Sequence, residues 1–308
     1  MTRSGDRKLA GELRAKLKLP VIVGPMFLVS GQDLVIACCK AGVVGSFPTL
    51  NARTPAILDE WLARITAETA MSAPFAANLI VHRSNPRVED DLALVTNHRV
   101  PVVIASVGSP AGVVAKVHDY GGIVLSDVAS LKHARRAVEA GVDGLILLCA
   151  GSGGNTGWLN PFAFVGAVRE FFDGPVVLAG AISRGRYIHA AERIGADLAY
   201  VGTSFIATRE SLASDDYRRM LIDSNADDIV LTTEVTGIGA NMLGPSLEQA
   251  GFKAGQKHEG FSLLKEMNSL TAWRDIWSAG HGVGDIARVE TVCDLVLRMK
   301  QDYDEARA

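Results

Sequence analysis

The sequence predicts an α/β protein built as a (β/α)8 TIM barrel with a C-terminal lid region of helices and loops. Two observations lead to this prediction. Short, continuously apolar, β-branched runs recur along the chain, as buried parallel strands require, and stretches with a helical period separate them. Eight strand–helix units of about 20 to 30 residues each match the barrel architecture.

The strands and helices alternate in order along the chain. The predicted strands are 19–24, 42–45, 75–80, 101–106, 121–126, 143–149, 175–180 and 197–202. The predicted helices are 33–40, 55–69, 88–97, 111–118, 130–140, 161–172, 184–194 and 214–223. Gly42, Gly141 and Gly195 each lie where a helix gives way to a strand, and glycine readily adopts the left-handed conformation that ends a helix.

Three regions are expected on this basis. Residues 1–18 form a basic helical extension, with leucines at helical spacing that predict a helix packed on the body. Residues 19–233 form the barrel. Residues 234–308 form a glycine-rich lid excursion with no clear strand, closed by a helix over 287–302 that packs on the barrel. Additions of this kind often cover a functional site.

Composition and charge exclude several classes of function. The formal net charge of -3 gives no basic surplus for nucleic acid, and no apolar run approaches the length of a membrane span. No signal-peptide pattern follows the basic start of the chain. Cys38, Cys39, Cys149 and Cys293 have no zinc-type spacing and lie in apolar sequence. Buried free thiols and a cytoplasmic location are therefore expected.

In a barrel of this type, functional groups lie at the carboxyl ends of the strands. Gly180 and Gly202 end the seventh and eighth predicted strands, and Thr203 follows directly. Because loops at these two strands often bind phosphate through backbone N–H groups, an anion site is predicted there. Four glycines lie within 151–157 after the sixth strand, without the lysine of a P-loop. This loop suits a flat ligand lying against bare backbone.

Taken together, these segments resemble the nitronate monooxygenase family, formerly called 2-nitropropane dioxygenases, and the related flavin-dependent enoyl reductases. The resemblance is carried by residues 20–26, 75–80, 150–164, 180–182, 196–208 and 277–280. It implies a barrel that holds FMN noncovalently at its mouth. The cofactor-binding residues that it implies are Gly24, Pro25, Met26, Asn78, Asp127, Gly151, Gly153, Gly180, Ala181, Gly202, Thr203 and Trp277.

The implied roles differ along the cofactor. Gly24 to Met26 would pass beside the isoalloxazine ring, and Asn78 would hydrogen-bond its polar edge. Gly180, Gly202 and Thr203 would hold the phosphate. Trp277 would close over the ring region, although a core aromatic is an equally good interpretation of this residue.

Two positions depart from the family pattern. Asn155 stands where family members usually have the histidine thought to remove the proton next to the nitro group, and an amide has no usable pKa near neutrality. His281 is the preferred replacement base, and His82 is another candidate. Asp127 lies near the position of a lysine in some relatives, and it reverses the local field there unless it merely caps a helix.

The leading expectation is an FMN-dependent oxidoreductase that oxidises alkyl nitronates with oxygen as the flavin oxidant. The alternative is an NAD(P)H-dependent flavin reductase of an enoyl or quinone substrate. A flavin-free phosphate-binding isomerase or lyase and a noncatalytic FMN-binding protein remain open at this stage. The expected partners are a small-molecule substrate with oxygen or NAD(P)H as second substrate. Apolar residues on the outer helices allow a homodimer, and no metal site is expected.

Overall fold

A computed structural model describes residues 6–252 and 273–308 of the chain. Its main sheet has eight parallel strands, which join in the order β1-β9-β8-β6-β5-β4-β3-β2. They are β1 Val21–Val23, β2 Gly45–Pro48, β3 Phe75–Ile80, β4 Val102–Ser106, β5 Ile123–Val128, β6 Gly144–Leu148, β8 Val176–Ala179 and β9 Leu198–Val201. Val23 N donates a 2.8 Å hydrogen bond to Val44 O and so joins β1 to the start of β2. The sheet therefore closes, and the predicted barrel is confirmed.

Helices connect these strands and cover the outside of the barrel. They are α1 Asp6–Ala15, α2 Gln32–Ala41, α3 Pro55–Thr69, α4 Val88–Asn97, α5 Ala111–His118, α6 Leu131–Glu139, α7 Pro161–Arg169, α8 Gly185–Arg193, α9 Thr203–Ile206, α10 Asp215–Asp223, α11 Gly244–Gln249 and α12 Val292–Arg307. Short 3-10 turns cover Thr49–Asn51, Ala226–Asp228 and His281–Asp285. Side-chain oxygens of Thr54, Ser130, Ser214 and Thr291 accept N–H bonds from the first turns of α3, α6, α10 and α12.

The barrel has an apolar interior that is distinct from the layer between strands and helices. Ile22, Val44 and Ile146 are completely buried in this interior cluster. Leu13 of α1 belongs to the same cluster, which also includes Val102, the first residue of β4. The amino-terminal helix therefore covers the end of the barrel at which the strands begin.

A second, three-stranded sheet is separate from the barrel sheet. Its strands are β10 Ile229–Thr232, β11 Ala240–Leu243 and β7 Gly154–Asn155, all antiparallel, with β11 in the centre. The expectation of no strand after residue 234 is therefore wrong. Every residue of β11 is buried, because β11 pairs on both sides and packs its side chains into the lid. Residues 253–272 of the predicted lid region 234–308 lie outside the described residues.

Three further expectations are corrected. The second strand begins at Gly45, not at residue 42, because Gly42 forms the left-handed cap of α2. The fifth strand runs to Val128, so Asp127 lies within β5 and caps no helix. The last helix begins at Val292, where Thr291 caps it, rather than at residue 287.

The cysteines differ from one another in environment. Cys38, Cys39 and Cys149 are buried free thiols, as expected. Cys293, in the first turn of α12, is exposed, so the expectation of a buried thiol is wrong there. None of the helices within the two described ranges has the length and apolar character needed to cross a lipid bilayer.

Candidate active site

A cavity opens at the carboxyl ends of the barrel strands, and β7 of the second sheet contributes to its lining. All but three of the site residues expected from the sequence line this cavity. They are Gly24, Pro25, Met26, Asn78, Asp127, Gly151, Gly153, Asn155, Gly180, Ala181, Gly202 and Thr203. The structure thus brings together residues from six strand ends and the lid, although their roles remain predictions.

Trp277, His281 and the other candidate base, His82, are the three that lie outside the lining. Trp277 stacks on Tyr217, with ring centroids 4.9 Å apart and planes inclined by 12°, and its indole N–H bonds to Arg274 O. Tyr217 lines the cavity, so Trp277 stands behind a lining residue as a packing aromatic. The His281 side chain is exposed at the start of a 3-10 turn, next to Gly151. This position places its imidazole at the rim rather than inside.

Gly202 faces open space at the end of β9. A Cβ atom on Gly202 would have Met26 Sδ, at 3.7 Å, as its nearest neighbour. Its backbone has a φ of −107°, which any residue adopts. The protein itself therefore does not demand glycine here, and the open space in front of Gly202 is a place where a ligand can approach the backbone.

The turn after β8 has the opposite character. Gly180 has a φ of 133°, and Ala181 has a φ of 54° although it carries a side chain. Such left-handed residues cost free energy and cluster at functional sites, because the surrounding structure must hold them in place. This turn presents its backbone to the cavity in a fixed, strained conformation.

The glycine-rich loop after β6 is joined tightly to the returning lid. His281 N donates to Gly151 O at 3.0 Å, and Gly280 N donates to Thr203 Oγ1 at 2.9 Å. A Cβ on Gly280 would lie 2.6 Å from Gly151 O, and one on Gly153 would lie 2.7 Å from Gly280 N. Gly153 and Gly280 are thus required where two backbones touch, and Thr203 ties this junction to β9.

Asn155 enters the cavity from β7. Its backbone pairs with Ala240 of β11, and Thr156 N donates to Gly239 O at 3.0 Å. Its side-chain Oδ1 is buried and has no hydrogen-bond partner. This oxygen can therefore accept a hydrogen bond from a bound molecule. Such a bond would be favourable, because a buried acceptor without a partner costs free energy.

A hydrogen-bonded chain of polar side chains crosses the barrel mouth from β3 to β5. Asn78 Nδ2 donates to Ser106 Oγ at 2.6 Å and to Ile104 O at 3.0 Å. Ser106 Oγ donates in turn to Asp127 Oδ2 at 2.6 Å. Burial raises the pKa of Asp127 to about 6, while hydrogen bonds from Ser106 and the Val107 backbone oppose the shift.

Two tyrosines and a tryptophan extend the site beyond the sequence prediction. Tyr217 of α10 donates to Ser278 O at 2.6 Å, and burial raises its pKa to about 12. Tyr200 of β9 lines the cavity, and burial, reinforced by Asp127, raises its pKa well above the usual value. Trp273 packs over Gly154. Both phenols therefore stay protonated at neutral pH.

Some of the missed residues carried a usable signal. Ser106 is the last residue of β4, and Val107 follows β4 as Gly24 follows β1, so the strand-end rule applies to them equally. Tyr217 lies on a helix that follows the last barrel strand, and no local pattern distinguishes it from a core aromatic. The position of Trp273 over Gly154 depends on long-range packing, so no local signal could have predicted it.

A family model described as nitronate monooxygenase matches residues 87–299 of the chain. The chain belongs to the nitronate monooxygenase family. This is a family of flavin-dependent oxidoreductases, so the protein is an oxidoreductase enzyme. The match begins in α4 and ends in α12, and it includes the loop after β6 and both predicted phosphate-binding turns.

Two relatives of the chain have names that describe different activities. The chain is 28% identical over 276 residues to the (3aS,4S,5R,7aS)-5-hydroxy-7a-methyl-1-oxo-octahydro-1H-indene-4-carboxyl-CoA dehydrogenase of Mycobacterium tuberculosis, covering 85% of this chain and 76% of that protein. It is 26% identical over 282 residues to a nitronate monooxygenase of Paraburkholderia phytofirmans, covering 75% of each.

A solved structure has the same architecture. The nitroalkane oxidase from Streptomyces ansochromogenes superposes with a TM-score of 0.82 at 26% sequence identity, covering 96% of this chain and 98% of that one. The likeness extends over the barrel and the lid together.

Proposed function

We propose that this protein is an FMN-dependent oxidoreductase that oxidises alkyl nitronates, with oxygen as the oxidant of the flavin. The observation that carries the proposal is that the cavity of this nitronate monooxygenase family member is lined by an amide, Asn155. Asn155, an amide, lines the cavity where the family usually has a histidine, and His281 lies outside the lining. A substrate that is already deprotonated fits this site better than one that needs a strong base.

The residues present fit FMN. The open space before Gly202 and the strained turn at Gly180 and Ala181 offer backbone close to the cavity, as a phosphate needs. In this proposal Thr203 adds its hydroxyl there, and the segment 24–26 borders the ring. When bound, the flavin supplies the two-electron redox chemistry of the reaction.

The protein's own groups then bind and orient the substrate. Asn155 has an unpartnered Oδ1 and an amide N–H2 group, so it is suited to hold a polar head group by hydrogen bonds. Tyr217 and Trp273, which line the lid side, exclude water from the same space. In this proposal residues 234–308 act as a lid, with the barrel formed by residues 19–233.

Anaerobic reduction of the FMN-loaded protein tests the proposal. A nitronate should bleach the flavin absorbance faster than the neutral nitroalkane from which it is formed. Asn155→His should raise the rate with the neutral nitroalkane by at least about tenfold, because a positioned base typically contributes about 10²–10⁴-fold. Asn97→His, on an exposed residue of α4, is the matched control and should change neither rate.

Other outcomes would replace this substrate class. Rapid bleaching by NAD(P)H, with none by nitronates, would favour the reductase of an enoyl or quinone substrate. Equal rates with nitronate and nitroalkane would mean that a base other than the missing histidine acts.

A second candidate follows from the comparison with the carboxyl-CoA dehydrogenase, which aligns with 85% of this chain. Here the substrate would be an acyl-CoA thioester that loses hydrogen to the flavin. The same anaerobic experiment, with a saturated cyclic acyl-CoA thioester as the reductant, distinguishes this candidate from nitronate oxidation.

We also propose a cytoplasmic location, which the three buried free thiols support, since oxidising compartments favour disulfides. A homodimer through the outer helices stays a prediction. Size-exclusion chromatography with light scattering would test it.

A further inference from the structure

The titratable groups of the described cavity lining are few, and all of them are acids rather than bases. Among its described lining residues, Asp127 is the sole carboxylic acid, and Tyr200 and Tyr217 are the two phenols. The described lining contains no lysine, arginine, histidine or glutamate. Asp127 therefore has no cation beside it in the cavity to stabilise its negative charge.

The elements packed against Asp127 supply dipoles instead of charges. Ser106 Oγ, on the neighbouring β4, donates to Oδ2 at 2.6 Å, and the backbone N–H of Val107 also bonds to the carboxylate. β6, on the other side, has no ionisable side chain. Asp127 also contributes to the raised pKa of the Tyr200 phenol on β9, after burial.

This arrangement is held by a strained backbone. Val107 has a φ of 58°, although it is β-branched. A β-branched residue in the left-handed region is a genuine outlier, and it persists where the surroundings enforce it. Ser106 is itself fixed by the hydrogen bond from Asn78 at 2.6 Å. The hydrogen-bond donors to Asp127 are thus built into the ends of β3 and β4.

A flat aromatic ligand in this cavity would displace the water that reaches the carboxyl group. Losing that water penalises the charged form further, and the described lining offers no positive charge to compensate. A protonated carboxyl group, in contrast, can donate a hydrogen bond to an acceptor atom on the polar edge of the ligand.

We propose that Asp127 takes up one proton from solvent when the flavin binds and holds the ring's polar edge as a neutral hydrogen-bond donor. This inference rests on the proposed flavin binding. It makes Asp127 a positioning residue whose protonation is coupled to cofactor affinity.

The sign of the effect follows from linkage. Burial raises the pKa of Asp127 to about 6 in the flavin-free protein. In our proposal the bound flavin raises this pKa further, because it removes water from the carboxyl group. Flavin affinity is then greatest below pH 6 and falls as the pH rises from the free to the bound pKa. The loss approaches about tenfold per pH unit, since one proton is involved.

Riboflavin is the probe for the test, because it lacks the phosphate group whose second pKa of about 6 would itself titrate. The dissociation constant for the flavin-free protein is measured by fluorescence quenching between pH 5.5 and 8.5. The affinity of the wild type for riboflavin should fall by tenfold or more as the pH rises across this range. Asp127→Asn, an uncharged donor of the same shape, should bind with an affinity independent of pH.

Two further variants separate this role from a structural one. Ser106→Ala removes a hydrogen bond that favours the charged carboxylate, so the midpoint of the pH dependence should move to higher pH. Glu139→Gln, on an exposed residue of α6, should retain the wild-type profile.

The outcomes are distinct. A wild-type affinity that stays constant with pH, or an Asp127→Asn variant that keeps the wild-type slope, overturns the inference about Asp127. Failure of the wild type to bind riboflavin and FMN at any pH overturns the proposed flavin function itself.

Discussion

Replacing Gly202 by leucine separates the binding of cofactor from the stability of the fold. Gly202 has an ordinary backbone conformation, and its nearest potential contact is the flexible side chain of Met26, 3.7 Å from a new Cβ. The fold should therefore accept a larger residue here. The new side chain fills the space in which the phosphate is expected to approach the backbone.

The expected magnitudes differ widely. Stability should change by less than about 1 kcal/mol, because glycine replacement at a compatible site has small effects. A hydrogen bond to a charged group contributes about 1.5–3 kcal/mol, so losing two of them at the phosphate costs about 3–6 kcal/mol. At about 1.4 kcal/mol per tenfold change, FMN affinity should fall by roughly 100-fold or more.

The assay combines FMN titration by fluorescence quenching with urea unfolding of the flavin-free protein. Gly280→Ala is the contrasting variant, because its Cβ would lie 2.6 Å from Gly151 O and should lower stability. If Gly202→Leu unfolds at the wild-type urea concentration and still binds FMN with wild-type affinity, the phosphate does not lie at this strand end.

Three further substitutions test the packing around the site. Leu13→Ala should lower the free energy of unfolding by about 2–5 kcal/mol in urea titrations, because Leu13 is 3% exposed inside the barrel end. Trp277→Ala removes the stack on Tyr217, worth about 0.5–1.5 kcal/mol beyond burial, so calorimetry should show a lower Tm while FMN affinity changes less than about threefold. His281→Ala should leave kcat/KM for nitronates within about twofold, because the side chain is exposed at the rim, and a tenfold loss would identify it as a proton acceptor.

The barrel was predictable from sequence because its signals are local. Each buried parallel strand is a continuous apolar run, and the bounds Phe75–Ile80, Pro55–Thr69 and Val88–Asn97 agree with the prediction residue by residue. Boundaries shifted where a single cap residue decided them, as Thr291 does for α12. The strand-end rule then located most of the cavity lining, since it depends only on the fold class.

The lid was not predictable in the same way, because its sheet depends on distant pairing. β11 reads Ala-Asn-Met-Leu, which has neither β-branched residues nor alternation, and its partner β7 lies some 85 positions earlier in the chain, as the pairs Ala240–Asn155 and Asn241–Gly154 show. Trp277 and His281 follow this sheet, so their distance from the cavity could not be inferred from neighbouring residues. Only the packing of Trp277 on Tyr217 explains why an aromatic beside the site does not line it.

The two departures from the family pattern both affect which titratable groups line the cavity. The family resemblance implies that an amide takes the place of an imidazole at Asn155, and that the Asp127 carboxyl group lies near the position of a lysine in some relatives. Together they leave Asp127 as the one described lining group with a pKa near neutrality, on β5 rather than on the loop after β6. Asn155 pairs with β11 in the lid, whereas Asp127 is fixed by Ser106 within the barrel. The titratable group thus lies within the barrel sheet, so in our proposal its protonation responds to what fills the cavity.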